Sequence, residues 1–340
     1  MNSNNYLEKL EDAIMCAGYS VQYAALCTSY ATRLLDNHLP VIFDIKHLSQ
    51  LIGIPVQNLL NMVFANELFY STAHIPKKAG GVRELNIPSV DLKYIQKWIL
   101  TNVLSYMPIS RSAYAFQSHL SIVDNAKVHL HRYCVLNTDI KDFFPSITFE
   151  RVFRLFAYYG YTKELSFVLA KLCTYNSILP QGSPASPRIS NICCLKLDAR
   201  LSALATKYEA QYTRYADDIT FSGQHDLSSI LKPLSAILQN EGFTINGKKT
   251  RITFPHQRQE VTGLIVNNSS VAIPRTYKKS LLQELYYCQK FGVADHLKKI
   301  GCNKAFYKEH IYGKIYFINM VEPDTAKNFF ELANQIEWDY

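Results

Sequence analysis

At 340 residues, with 48% of them apolar, the chain is too long for one small core and fits two or three packed units. Lysine and arginine number 36 against 28 aspartates and glutamates, a net +8 that suits a polyanionic partner. The eight cysteines show no C-x2-C or C-x4-C spacing, which argues against a local zinc site, and the polar start argues against a secretory signal; reduced thiols in a cytoplasmic protein with no membrane partner are expected.

Residues 1–38 carry apolar side chains at helical spacing. Residues 13–32 hold no charge, but their serines, threonines, glutamine and tyrosines are too polar for a spanning helix, so a buried or partner-facing helix is expected. Leu39–Pro40 marks a break, a helical segment follows from Asp44, and Gly53 and Pro55 punctuate it. Residues 75–88 read as two β runs joined by Gly80 and Gly81. Lys77, Lys78 and Arg83 on that ribbon could cover a triphosphate, or could simply be solvated. Residues 91–100 return to helical periodicity.

Asn125–Ala126–Lys127–Val128–His129 is expected to open a helix with Asn125 and His129 on one face, placed to orient backbone, bind RNA or satisfy buried groups. Residues 133–140 read as a buried strand with Asp139 near its end, a placement that holds a carboxylate rigidly. Phe143 and Phe144 follow, as core or as a wall beside a site. Residues 151–172 read as helical. Residues 178–187 form a Pro/Gly loop in which Gln181 is the polar side chain best placed for a ligand, feeding a helix over 189–201.

Residues 211–223, QYTRYADDITFSG, set Asp217 and Asp218 inside an apolar, aromatic and β-branched run. A hairpin tip presenting carboxylates to a divalent cation and an exposed acidic turn both fit. Residues 227–240 read as an amphipathic helix, 243–252 as strand–turn–strand with Lys248, Lys249 and Arg251, and 260–273 as a hairpin around Asn267 and Asn268. From Arg275 on, lysines and tyrosines alternate along helices, as on a surface lying along nucleic acid or on a solvated face. Asp139, Asp217 and Asp218 are the strand-associated acids able to meet, and rigid carboxylates from separate strands are what two-metal nucleotidyl transfer needs.

The order of these segments resembles the reverse transcriptases. Tyr-Ala-Asp-Asp at 215–218 is similar to the family's hallmark box; LPQGSP at 179–184, DIKDFF at 139–144 and INGKKT at 245–250 resemble its neighbouring boxes. The NAxxH element at 125–129 and the VTG element, Val261, Thr262 and Gly263, resemble those of bacterial retron reverse transcriptases. The resemblance implies an α+β right-hand polymerase: a helical extension over 1–38, fingers and an α/β palm over 39–274, and a helical RNA-binding thumb over 275–340. It implies two magnesium ions on Asp139, Asp217 and Asp218, with Lys249 protonating pyrophosphate. It places Lys77, Lys78, Arg83, Phe144 and Gln181 around the deoxynucleoside triphosphate, and Asn125, His129, Tyr215, Val261, Thr262 and Gly263 on RNA or primer.

The partners so implied are a cognate retron noncoding RNA, its branched RNA-linked DNA product (msDNA) primed from an RNA 2′-hydroxyl, an antiphage effector protein and a higher-order oligomer. The chain is expected to hold no appended nuclease domain. The alternatives are an intron or abortive-infection type of reverse transcriptase, or a catalytically idle RNA-binding scaffold serving as an antitoxin.

Overall fold

A computed structural model describes residues 3–76, 80–301 and 305–338. The chain divides into two compact units, one built from Met1–Arg111, Lys141–Ala199 and Leu238–Phe243, the other from Ser112–Ile140, Arg200–Ile237 and Thr244–Tyr340.

The first unit is helical apart from one ribbon. The uncharged stretch 13–32 is not one helix: it breaks between helices Ser3–Cys16 and Val21–Asp36, where Gly18 takes a left-handed φ of 82° and Ser20 caps Tyr23 N. Ala24, Tyr30, Ala31 and Leu34 of the second helix are buried, while Tyr19, Val21, Tyr23 and Leu26 are exposed. Among the described residues no helix is long and apolar enough to cross a membrane. The expected helix over 151–172 is likewise two, Phe149–Tyr158 and Lys163–Cys173, with Gly160 between them at φ 110°.

The glycine-joined ribbon is an antiparallel pair, β1 (Tyr70–Pro76) and β2 (Val82–Pro88), with Gly80 and Gly81 both at positive φ. Its side chains are largely exposed, and it is fixed at its base. Asn86 N donates to Gln181 O at 2.7 Å, and Gly182 approaches so closely that a Cβ there would lie 2.5 Å from Asn86 O. Glycine at 182 is thus required by contact as well as by its φ of 130°. Beyond the loop, the expected helix over 189–201 is divided at Cys194 into Ser186–Cys193 and Leu195–Lys207. Arg151 braces the unit by donating to Glu241 O and Cys193 O, with its guanidinium 4.5 Å from the Phe243 ring centroid.

The second unit is built on one sheet. Strand β3 (Cys134–Lys141) pairs antiparallel with β5 (Asp218–Gly223), which pairs with β4 (Gln211–Tyr215); the short β6 (Thr244–Ile245) and β7 (Arg251–Thr253) both lie against β3. Central position explains the composition of β3 and β5: both faces are covered, so nearly every position is buried.

The expected hairpin around Asn267 and Asn268 closes through one antiparallel bridge, and a tighter hairpin precedes it. The turn of β8 (Glu260–Val261) and β9 (Leu264–Ile265) is Thr262–Gly263, both with positive φ, and Ile265 pairs back with Ala272 across the asparagine loop. Positive φ at both turn positions is what a tight two-residue hairpin requires, and the Thr-Gly pair supplies it. Val261 and Leu264 enter a core shared with Ala126, Leu281, Leu285, Ile311, Ile315 and Phe329. The last five come from helices Arg275–Phe291, Tyr307–Val321 and Pro323–Asn334, which with Val293–Ile300 form the helical end of the chain.

Candidate active site

Strand register brings the acids together. Asp139 on β3 is the direct partner of Asp218 on β5, and Tyr215 on β4 faces Asp218 from the other side. The β4–β5 turn is Ala216–Asp217; Ala216 has φ 57°, a conformation that glycine usually supplies. Asp217 O accepts from Ile140 N at 2.9 Å, tying the turn to the end of β3. Two strands and one turn thus fix three carboxylates on one end of the sheet.

The turn after β6 completes the cluster. Asn246 N donates to Asp139 O at 2.8 Å, Asn246 Nδ2 to Asp139 Oδ1 at 3.0 Å, and Lys249 Nζ to Asp139 Oδ2 at 2.7 Å. Thr138 and Thr250 share a hydroxyl hydrogen bond of 2.7 Å behind that turn.

Crowded like charges set the electrostatics. Burial first, then the Asp139 carboxylate, hold Asp217 above the usual carboxylate range. Asp218 has an exposed edge, yet the protein around its carboxyl and the charges of Asp217 and Asp139 push it up to about 6 against the pull of Lys249 and Arg251. The hydrogen bond to Asp139 raises Lys249, which stays cationic.

Among the described residues no group of three carboxylate, imidazole or thiolate side chains already converges as a metal site. The donor set nonetheless fits a hard divalent cation, because Asp139, Asp217 and Asp218 offer only carboxylate oxygens, and a cation offsets the repulsion they suffer together.

Beside Asp139 and Asp218 lies a cavity of about 530 Å3, whose lining includes Lys248, Lys249, Arg251, Thr262 and Gly263. Tyr215 also lines it. Val261 is fully buried and anchors its hairpin from the core.

Asn125 and His129 do not share an exposed helical face. The helix is Ile122–Lys127, capped by Ser121, and His129 lies past its end. Both side chains are buried, at 1% and 0% exposure, and the Nδ2 and Oδ1 of Asn125 have no hydrogen-bond partner among the described residues. His129 Nδ1 bonds Ser222 Oγ at 2.7 Å and Nε2 bonds Thr213 Oγ1 at 2.8 Å, which joins β4 to β5. Its burial pushes the imidazole down to about 3, so it is neutral and uses one nitrogen to donate and the other to accept.

Arg83, Phe144 and Gln181 belong to the first unit, Arg83 exposed on β2 and the other two half-buried. The Phe144 ring packs edge-on against Phe143 at 5.4 Å. Lys77 and Lys78 lie outside the described residues.

Two site residues escaped the sequence reading. Arg214 is fully buried and its Nη1 donates to Ala216 O at 3.0 Å, bracing the turn that carries Asp217. An arginine inside an apolar strand was the available signal, since burial of a charge demands a purpose. Asn246, on Asp139, could have been suspected from the Asn-Gly turn but not assigned a partner.

Comparison with known proteins agrees with this geometry. Residues 75–269 match the family model for Reverse transcriptase (RNA-dependent DNA polymerase). The chain is 34% identical over 313 residues to the retron Ec86 reverse transcriptase of Escherichia coli, covering 91% of this chain and 94% of that one. It is 31% identical over 342 residues to the retron Mx162 reverse transcriptase of Myxococcus xanthus, covering 90% and 69%. Among solved structures, a telomerase from Candida albicans in complex with a fragment of telomeric RNA is similar at a TM-score of 0.44 and 12% identity, over 78% of this chain and 59% of that one. The matched segment spans more than half of the chain and contains Asp139, Asp217, Asp218 and Lys249, and the chain belongs to the reverse transcriptase family, an RNA-directed DNA polymerase of the retron kind.

Proposed function

We propose that this polymerase copies part of a cognate structured noncoding RNA into single-stranded DNA joined to that RNA through a 2′-hydroxyl, within an antiphage defence module that includes an effector protein. The observation that carries the chemistry is the register pairing of Asp139 with Asp218, with Asp217 in the adjoining turn and Lys249 on Asp139. Asp139, Asp217 and Asp218 would hold two magnesium ions, which when bound stabilise charge on the attacking and leaving oxygens.

The chain's own groups do the rest. The strand pairs hold the carboxylates still, and His129 and Arg214 keep the hairpin in shape. In each addition the priming hydroxyl oxygen bonds to the α-phosphorus of a deoxynucleoside triphosphate and its proton passes to water. The bond to the β-phosphate breaks, and Lys249, released from Asp139, donates a proton to the departing pyrophosphate. Lys77, Lys78 and Arg83 cover the triphosphate, Gln181 lines its pocket, and the Phe144 ring disfavours a ribose 2′-hydroxyl by bulk. The Thr262–Gly263 turn and Tyr215 bear on the primer end. Residues 39–274 act as fingers and palm, 275–340 as an RNA-binding thumb, and 1–38 as a docking extension for an effector or a second copy.

The test is to incubate purified protein with RNA transcribed from directly upstream of its coding sequence, deoxynucleotides and magnesium, and to sequence any product. DNA attached to RNA through a 2′–5′ linkage is expected. DNA made only from free 3′ ends would defeat the branched-product reading, and no DNA from any primer would leave an RNA-binding scaffold.

A further inference from the structure

The proposed primer poses a steric and electrostatic problem that a conventional primer does not. A strand ending in a 3′-hydroxyl has nothing beyond its reacting oxygen. When the 2′-hydroxyl reacts, the adjacent carbon of the same ribose still carries a 3′-phosphodiester and the remainder of the RNA. That phosphate must then fit within a sugar's width of the carboxylate cluster of Asp139, Asp217 and Asp218. A site built for such a primer needs room beside the acids and cations free to meet the extra phosphate.

The second unit supplies both. The cavity beside Asp139 and Asp218 measures about 530 Å3, within the ~300–1,000 Å3 typical of sites that hold a small ligand. Of the three cations lining it, Lys249 is engaged by Asp139. Lys248 and Arg251 are exposed and form no ion pair with any described residue. The remaining acid of the lining, Glu260, is held by Arg258 at 2.6 Å, which leaves Lys248 and Arg251 as the charges available to a guest. The floor is polar as well. Asn137 and Thr220 pair across β3 and β5, one step along the same face from Asp139 and Asp218. Asn137 Nδ2 donates to Thr220 Oγ1, while Asn137 Oδ1 is an acceptor with no donor among the described residues.

We infer that this cavity is a subsite for the RNA strand continuing 3′ of the priming nucleotide, with Lys248 and Arg251 on its first phosphodiester. The inference rests on the 2′-priming reading above and adds the residues that would make such a primer acceptable. Arg251 contributes a planar fork for the phosphate oxygens and Lys248 a point charge, so lysine at 251 should restore less than the native arginine.

The experiment compares two RNAs for each protein: one continuing past the priming nucleotide, and one ending there with a free 2′-hydroxyl and no 3′-oxygen. The readout is the ratio of their KM values, in which any general loss of activity cancels. A third arm extends a DNA primer from its 3′-hydroxyl on an RNA template. Wild type is expected to show a KM about tenfold lower for the continuing RNA, the effect of roughly 1.4 kcal/mol at 25 °C. The Lys248→Ala, Arg251→Ala double variant should bring that ratio close to one with its melting temperature unchanged, and Arg251→Lys should fall between. A ratio near one in wild type, or a double variant with the wild-type ratio, would overturn the subsite. If wild type extends the DNA primer but starts from neither 2′-hydroxyl, the priming reading fails and the subsite falls with it, an outcome the third arm separates from failure of the subsite alone.

Discussion

Two hairpins of similar size sit in opposite environments. In β1–β2 almost every side chain is exposed or half-buried, and the backbone is secured at its base by Asn86, Gln181 and the glycine at 182. In β4–β5 the strands are buried, one edge is paired to β3, and the turn is held by Ile140 N and the Arg214 guanidinium. The first is a surface ribbon whose described side chains are open to solvent and make few packing contacts. The second suits catalysis, because carboxylates that must meet a charge in one geometry cannot be allowed to drift. Burial fixes β4–β5 but also raises the cost of its charges, as the upward shifts of Asp217 and Asp218 show.

The contrast can be broken at the rigid hairpin first. Asp217→Asn keeps the shape of the side chain and removes a charge that the fold resists. DNA synthesis with magnesium should fall about 10³-fold or more, while the melting temperature stays level or rises. A variant with retained synthesis would take Asp217 out of the chemistry.

Arg214→Met removes the brace without opening a large void. Ala216 O then loses its donor inside the protein, at a cost of roughly 1–3 kcal/mol in urea unfolding, together with a fall in kcat from a looser turn. Unchanged stability would mean that the turn needs no brace.

His129 sharpens the comparison through pH. Its folded-state value of about 3 lies below the unfolded 6.5, so the unfolded chain binds the extra proton between these values. The neutral-imidazole contribution is complete above pH 6.5 and is lost as pH falls toward 3, about 2 kcal/mol of it by pH 5. His129→Gln, which cannot titrate, should show a flatter stability profile over that interval; an identical slope would place the acid sensitivity elsewhere.

The smallest effect is expected on the exposed ribbon. Arg83→Ala should raise KM for deoxynucleotides about two- to fivefold, the scale of one solvent-screened charge contact, with little change in kcat or stability. A large loss of stability there would contradict the exposed environment of β2.

Much of this was legible because some residue types leave few options. Two glycines between β runs demanded the β1–β2 turn, and paired acids in a β-branched run demanded a cation or a turn. Other expectations failed where local signals competed. An uncharged run reads as one helix until the left-handed glycine at 18 and the capping Ser20 divide it. Asn267–Asn268 is a strong turn signal and its loop does close through the Ile265–Ala272 bridge, but the sequence did not show the tighter β8–β9 turn at Thr262–Gly263, where Val261 and Leu264 both reach the helical core. For Asn125 and His129, helical spacing predicted a shared face, but the helix stops at Lys127 and packing takes both side chains inside.

By itself, then, the amino-acid order marked the residues proposed to carry the chemistry: the acids, the lysine turn and the glycine-joined ribbon are properties of short segments whose side chains have few other uses. Only the tertiary structure decided what those residues touch. Asp139 and Asp218 are separated widely along the chain and become neighbours through strand register, Lys249 finds Asp139 across a turn, and Arg214 turns inward to a carbonyl two residues away. Register and side-chain direction follow from burial of the whole sheet, a condition no single segment contains.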